Sequence, residues 1–264
     1  MTVLAPVLAA VTLAASPAPA PGSTYLAVGD SMTAPAGRDP TYPATVAAEL
    51  RERQPRLRVR RTGCGGMTAQ EVVRGGGPCT YPQGSQLRAA EADLRGRRGR
   101  VDLVTVTIGG NDIFQCAEAA DPACLRERLP GVIANVRTIA RRLRAAAGRG
   151  ATLIGTTYHD PFLGYWVQDR EADARASVPV VEEFNRALAA AYRAEGYRVA
   201  DIGANFRIAD FSEGAAGLPA NVATTCRLTR ACPQDPLAFD VHPNRAGYER
   251  IGRLVVRVRA GAKR

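Results

Sequence analysis

The sequence predicts an α/β fold: a parallel sheet covered by helices on both faces, giving a three-layer α/β/α sandwich. Three observations carry this expectation. From residue 24 onward, short apolar or β-branched runs bounded by glycine, proline or polar residues alternate with helical patterns. Such alternation implies right-handed crossovers that return each strand parallel to the last. The 264 residues, 46% hydrophobic and 23% charged, can bury a full core, and five strands at this spacing suit one domain better than two.

Residues 1–22 stand apart from that pattern. They are small and apolar, and they end in Ser16-Pro17-Ala18-Pro19-Ala20-Pro21-Gly22. This resembles the h-region and small-residue exit of a secretory signal peptide, although the usual basic n-region is missing. A cut after Ala20 or after Gly22 fits equally well, leaving 23–264 as the folded domain. A membrane anchor is the rival reading, but the run is short and interrupted by Pro6. The protein is therefore expected to be secreted.

Within the folded part the strand candidates are 24–28, 57–62, 101–108, 151–157 and 197–202. Helical patterns lie between them at 41–53, 84–95, 126–147 and 178–195. A last helix spans about 244–258, entered through Pro243 and the capping-type Asn244. The stretches 158–177 and 203–241 are too long for plain connectors and are expected to wall a cleft.

Six cysteines support export. Cys64 and Cys79, Cys116 and Cys124, and Cys226 and Cys232 fall close together, each pair bracketing a glycine-, proline- or polar-rich loop. Six cysteines allow fifteen connectivities, and sequential pairing is the expectation. A zinc site is disfavoured, because there is no Cys-x-x-Cys and the chain has only two histidines. The net charge of +10 is almost all arginine, with Lys263 the one lysine. The arginines are spread through the predicted helices and their ends, as in Arg137, Arg141, Arg142, Arg144 and Arg149, without interleaved aromatics. That is a solvated face rather than a nucleic-acid site, although contact with anionic lipid surfaces fits the charge.

The chemistry lies at strand ends. Gly29-Asp30-Ser31 follows the first strand, where glycine permits a sharp turn and α/β proteins place their ligands. Gly63-Cys64-Gly65-Gly66-Met67-Thr68 follows the second and Gly109-Gly110-Asn111-Asp112 the third. Phe239-Asp240-Val241-His242-Pro243-Asn244 precedes the last helix. Acyl transfer needs this set: a hydroxyl activated by an imidazole, and fixed N–H donors for a tetrahedral oxyanion. No Gly-x-Ser-x-Gly elbow is present, which disfavours the α/β-hydrolase version.

These four segments, in this order and across almost the whole chain after residue 23, resemble the SGNH (GDSL) hydrolase family of esterases and lipases. The cysteines, the export signal and Tyr158-His159-Asp160-Pro161 look most like its secreted actinobacterial branch. The resemblance implies a flavodoxin-like sheet of order 2-1-3-4-5, with Ser31 as nucleophile and His242 as general base and then acid. It implies an oxyanion hole from the Ser31 N–H, the Gly66 N–H and the Asn111 side chain, with no metal or cofactor. The family's aspartate stands three residues before the histidine, where this chain has Phe239; Asp240 lies two before. Either Asp240 or a main-chain carbonyl near Phe239 is left to orient the imidazole. Asp30 and Asp112 are expected to brace their loops, and His159 to be a cleft or surface residue. Tyr158, Phe162, Tyr165 and Trp166 either line a pocket or pack onto the domain.

The expected activity is hydrolysis of a small-molecule, lipid or acylated-glycan ester by a monomer. An acyltransferase using the same site and a non-catalytic glycan- or lipid-binding module are the alternatives.

Overall fold

In the computed structural model, which describes residues 23–34, 39–233 and 238–261, the apolar runs form five parallel strands. They are β1 (Thr24–Gly29), β2 (Arg58–Arg61), β3 (Val101–Thr107), β4 (Thr152–Thr156) and β5 (Arg198–Ala200), in the order β2-β1-β3-β4-β5. β1 is buried along its whole length between β2 and β3, as a central parallel strand must be when both faces are covered. β2, Arg-Val-Arg-Arg, is an edge strand whose alternate arginines are exposed, and charge there discourages pairing with another chain. The signal-peptide expectation lies outside the described residues.

Helices α1 (Tyr42–Arg53) and α9 (Arg245–Ala260) pack together on one face of the sheet. On the other lie α3 (Gln86–Arg95), α5 (Pro122–Ala147) and α6 (Glu171–Ala194). Short α2 (Ala69–Arg74), α4 (Gly110–Glu118) and α7 (Ile202–Asn205) follow β2, β3 and β5. Several boundaries differ from the sequence reading. α5 starts at Pro122, where Asp121 accepts hydrogen bonds from the N–H groups of Ala123 and Cys124. α6 starts at Glu171 and carries Pro179 inside it, where proline would ordinarily mark a start or a break.

The two stretches read as loops are also more ordered than expected. The first holds a 3₁₀ helix (Pro161–Gln168) and the opening turns of α6. The second holds α8 (Ala220–Leu228) and an antiparallel pair, β6 (Thr229–Arg230) with β7 (Asp240–Pro243). Disulfides join Cys64 to Cys79, Cys116 to Cys124 and Cys226 to Cys232, the sequential pairing. Among the described residues no helix is long and apolar enough to cross a membrane.

Candidate active site

The turn after β1 is built on a glycine that nothing can replace. Gly29 has φ +143°, and a Cβ there would stand 1.9 Å from the Thr107 carbonyl oxygen of β3. The Gln86 side-chain amide clamps it, accepting from the Gly29 N–H at 3.0 Å and donating to its carbonyl at 2.9 Å. Asp30 is buried beside it. Its Oδ1 accepts the Met32 N–H at 2.9 Å and its Oδ2 accepts the Tyr158 hydroxyl at 2.5 Å. Burial raises the Asp30 pKa to about 6, although both hydrogen bonds favour the charged form. Asp30 thus ties the turn carrying Ser31 to the chain that leaves β4, as a brace.

The Ser31 hydroxyl meets His242 across 211 residues of sequence: Oγ and Nε2 are 2.8 Å apart. His242 lies on β7, and its Nδ1 is 2.5 Å from Asp240 Oδ1, the same oxygen that accepts the His242 backbone N–H at 3.0 Å. A carboxylate two residues earlier can therefore reach the imidazole by folding back over its own backbone. Burial pushes the Asp240 carboxyl up, but the His242 ring, the His242 N–H and Arg230 together hold it below the ordinary range. After His242 the chain enters α9 at once, and Asn244 Oδ1 caps that helix by accepting the Gly247 N–H at 3.1 Å.

Gly66 and Asn111 arrive from the ends of β2 and β3. Gly66 has φ +77°, a conformation that favours glycine. A Cβ on neighbouring Gly65 would sit 3.8 Å from Ser31 Cβ, which shows how closely this loop approaches the serine. Asn111 donates one amide hydrogen to the Met67 carbonyl at 2.9 Å, leaving the second for another acceptor. Asp112 accepts the Ala69 N–H at 2.8 Å, so both residues after Gly110 fasten the glycine loop, and burial raises Asp112 to about 6. Among the described residues no protein acceptor takes the Ser31 or Gly66 N–H.

Ser31, Gly66, Asn111 and His242 all line one cavity of about 440 Å³. The rest of its wall is largely apolar: Met32, Ile113, Phe114, Ala117, Phe162 and Phe184. A larger open groove of about 800 Å³ beside α6 and α7 contains none of the expected site residues. The aromatic residues of 158–166 divide as follows. Tyr158 and Phe162 line the cavity, whereas Tyr165 packs at a tilt against Phe239 and Trp166 against Phe211. Of the two places expected for His159, the cleft holds: it is buried in the cavity wall, where its Nε2–H donates to the Val241 carbonyl at 2.8 Å and burial lowers its pKa to about 4.

Sequence reasoning missed the α4 wall, whose only trace is the spacing of Ile113, Phe114 and Ala117 after Asn111. It also missed Arg230, which has no motif to announce it. Among the described residues no group of three or more His, Cys, Asp or Glu side chains is placed to hold a metal ion.

A model described as the GDSL-like lipase/acylhydrolase family matches residues 27–250. None of the curated proteins compared is similar enough to match. Similar solved structures include an extracellular lipase from Streptomyces rimosus, at 22% identity and TM-score 0.55 over 89% of this chain and 97% of that one. A variant of Axe2, an acetyl xylan esterase from Geobacillus stearothermophilus, gives 18% identity and TM-score 0.55 over 90% and 94%. A Bacillus subtilis protein gives 19% and 0.58 over 92% of this chain, which spans 58% of that longer one. At these identities the likeness is one of fold.

Proposed function

The chain belongs to the GDSL-like lipase/acylhydrolase family and is a carboxylic-ester hydrolase, and we propose that it works through an acyl-enzyme on Ser31. The observation that carries this reading is the line Ser31 Oγ, His242 Nε2, His242 Nδ1, Asp240 Oδ1, with steps of 2.8 and 2.5 Å, opening on the cavity lined by Gly66 and Asn111. His242 takes the hydroxyl proton as Ser31 Oγ attacks the ester carbonyl. The N–H groups of Ser31 and Gly66 and the second amide hydrogen of Asn111 receive the oxyanion. The tetrahedral intermediate collapses as His242 returns the proton to the departing alcohol. Water, deprotonated by His242, then releases the carboxylic acid and restores Ser31.

The apolar wall supports an acyl chain longer than acetyl, because a single methyl would leave most of about 440 Å³ unfilled. A lipid or small acyl ester is the substrate this favours. Fold likeness to an acetyl xylan esterase keeps an acetylated glycan as the second reading. The leader-like residues 1–22, three disulfides and fold likeness to an extracellular lipase support secretion. One chain supplies every residue of the proposed mechanism, which accords with a monomer.

The test is hydrolysis of p-nitrophenyl esters from acetate to palmitate by the oxidised protein, beside Ser31→Ala. Turnover is expected to peak above acetate and to vanish in the variant. Equal cleavage by Ser31→Ala would overturn the mechanism, and a preference for acetate would favour the glycan reading.

A further inference from the structure

The carboxylate of Asp240 has two oxygens, and His242 uses only one. Oδ1 accepts from both the backbone and the ring of His242, while Oδ2 accepts from Arg230 Nη1 at 3.3 Å. The other arm of the same guanidinium, Nη2, bonds the carboxylate of Asp39. Asp39 belongs to the connection leaving Ser31 toward α1, and Arg230 lies 191 residues farther along. One side chain, only 17% exposed, therefore joins the segment that carries the serine to the strand that carries the histidine.

We propose that Arg230 is a positioning residue for ester hydrolysis, holding Asp240 so that its Oδ1 faces His242 Nδ1 and fastening the β6–β7 pair to the serine side. The proposal rests on the reading of His242 as the base.

Geometry explains why this chain needs such a grip. An aspartate two residues before the histidine must turn back over its own backbone. Left alone, rotation of its carboxylate would exchange Oδ1 for Oδ2 or release both to water. The guanidinium fixes the outer oxygen, and its planar fork can hold two carboxylates at once, which a lysine ammonium does with less angular definition. The charged groups around Arg230 are Asp39 and Asp240, with His242 beyond, so removing the cation leaves two carboxylates uncompensated.

Arg230 is itself firmly placed. It stands opposite Asp240 in the β6–β7 register. The disulfide Cys226–Cys232 brackets it. Thr229 Oγ1 donates to the Thr225 carbonyl at 2.7 Å and accepts the Ala231 N–H at 3.1 Å, and the Asn244 N–H donates to the Leu228 carbonyl at 3.0 Å. A short staple with these bonds holds the strand at the point where the arginine must reach inward.

The test compares Arg230→Met, Arg230→Lys and Arg230→Met made together with Asp240→Asn, using p-nitrophenyl butyrate. Arg230→Met is expected to lower kcat about tenfold with KM within about twofold, as loss of a hydrogen bond between charged groups would. Arg230→Lys should recover part of that loss. On the Asp240→Asn background, Arg230→Met should lower kcat by no more than about twofold, because the group it acts through is gone.

Proton NMR gives a second readout that needs no turnover. The protein has only two histidines, and the His242 Nδ1 proton should appear downfield in the wild type and broaden or vanish in Arg230→Met. If Arg230→Met does not fold, Asp39→Asn with Arg230→Met removes the uncompensated like charge and should show the same kcat loss. An unchanged kcat and resonance in a folded variant would overturn the proposal. So would a full tenfold loss persisting on the Asp240→Asn background. Failure of the wild type to cleave any ester would instead overturn the functional reading, while the resonance would still report on Arg230.

Discussion

The serine and the histidine are held by opposite means. Ser31 follows a fully buried central strand, and its turn is fixed by a glycine with no room for a side chain, an amide clamp from Gln86 and the buried Asp30–Tyr158 contact. His242 lies on a two-stranded antiparallel pair outside the main sheet, with its side chain 34% exposed and that of Asp240 35% exposed. What fastens it is charge, a disulfide and helix capping rather than apolar burial. Core packing places the serine and polar contacts place the imidazole. Damage to the first should therefore appear as lost stability, and damage to the second as lost turnover.

The most severe test of that contrast is Asp240→Asn. An asparagine offers its oxygen or its N–H₂ to Nδ1, and the wrong choice stabilises the tautomer that cannot accept the serine proton as the proposed mechanism requires. A loss in kcat on the order of 10³–10⁴ is expected. Because the pair is peripheral, the melting temperature should move by less than about 3 °C. Stopped assays beside thermal melts would measure both. Near-normal turnover would mean that a main-chain carbonyl orients the ring.

Asn111→Ala comes next, and it should straddle the two behaviours. On the proposed mechanism it removes an oxyanion donor, which should lower kcat by roughly 10²–10³. The Met67 carbonyl also loses its partner inside the glycine loop, at a cost of about 1–3 kcal/mol. A kcat loss without any fall in melting temperature would show that the serine side tolerates more than its packing implies.

The same contrast decides what could be read in the sequence. β1, β3 and β4 were legible because buried parallel strands are continuous apolar runs, whereas the exposed edge strand β2 was marked only as a short run before Gly63. Ser31, Gly66 and Asn111 stood out because each follows a strand at a glycine turn. His242 was legible through its His-Pro-Asn entry to α9. The short elements α2, α4 and α8 were not, since each is under ten residues and takes its order from contacts with the body of the domain. Pro179 concealed the first turns of α6. Arg230 had no signal at all: its meaning depends on a two-residue strand pairing across the hairpin, and no local pattern predicts that. His159 was read as a cleft or surface residue, and it lines the cleft; its burial was not legible because its partner, the Val241 carbonyl, is a backbone group that any residue carries.

Asp30→Asn gives the smallest effect and tests the electrostatics of the serine side. The Asp30 pKa is raised from 3.8 to about 6, so the folded protein holds this proton more tightly than the unfolded chain does. The contribution favours folding below pH 3.8 and is lost as the pH rises through about 6. Its full size is at most about 3 kcal/mol. Asp112, at about 6, and Asp160, at about 7, act in the same direction. His159, lowered from 6.5 to about 4, acts oppositely, losing its contribution as the pH falls through that range.

Only the Asp30 share differs between wild type and variant. An asparagine there can still accept the Met32 N–H, and can donate to the Tyr158 oxygen in place of accepting from it. Melting curves between pH 4 and pH 8 should therefore fall more steeply for the wild type, by up to several degrees. Tyr158→Phe, which removes the hydroxyl that favours the charged carboxylate, should steepen the wild-type fall further. Parallel curves for all three proteins would mean that burial does not hold the Asp30 proton.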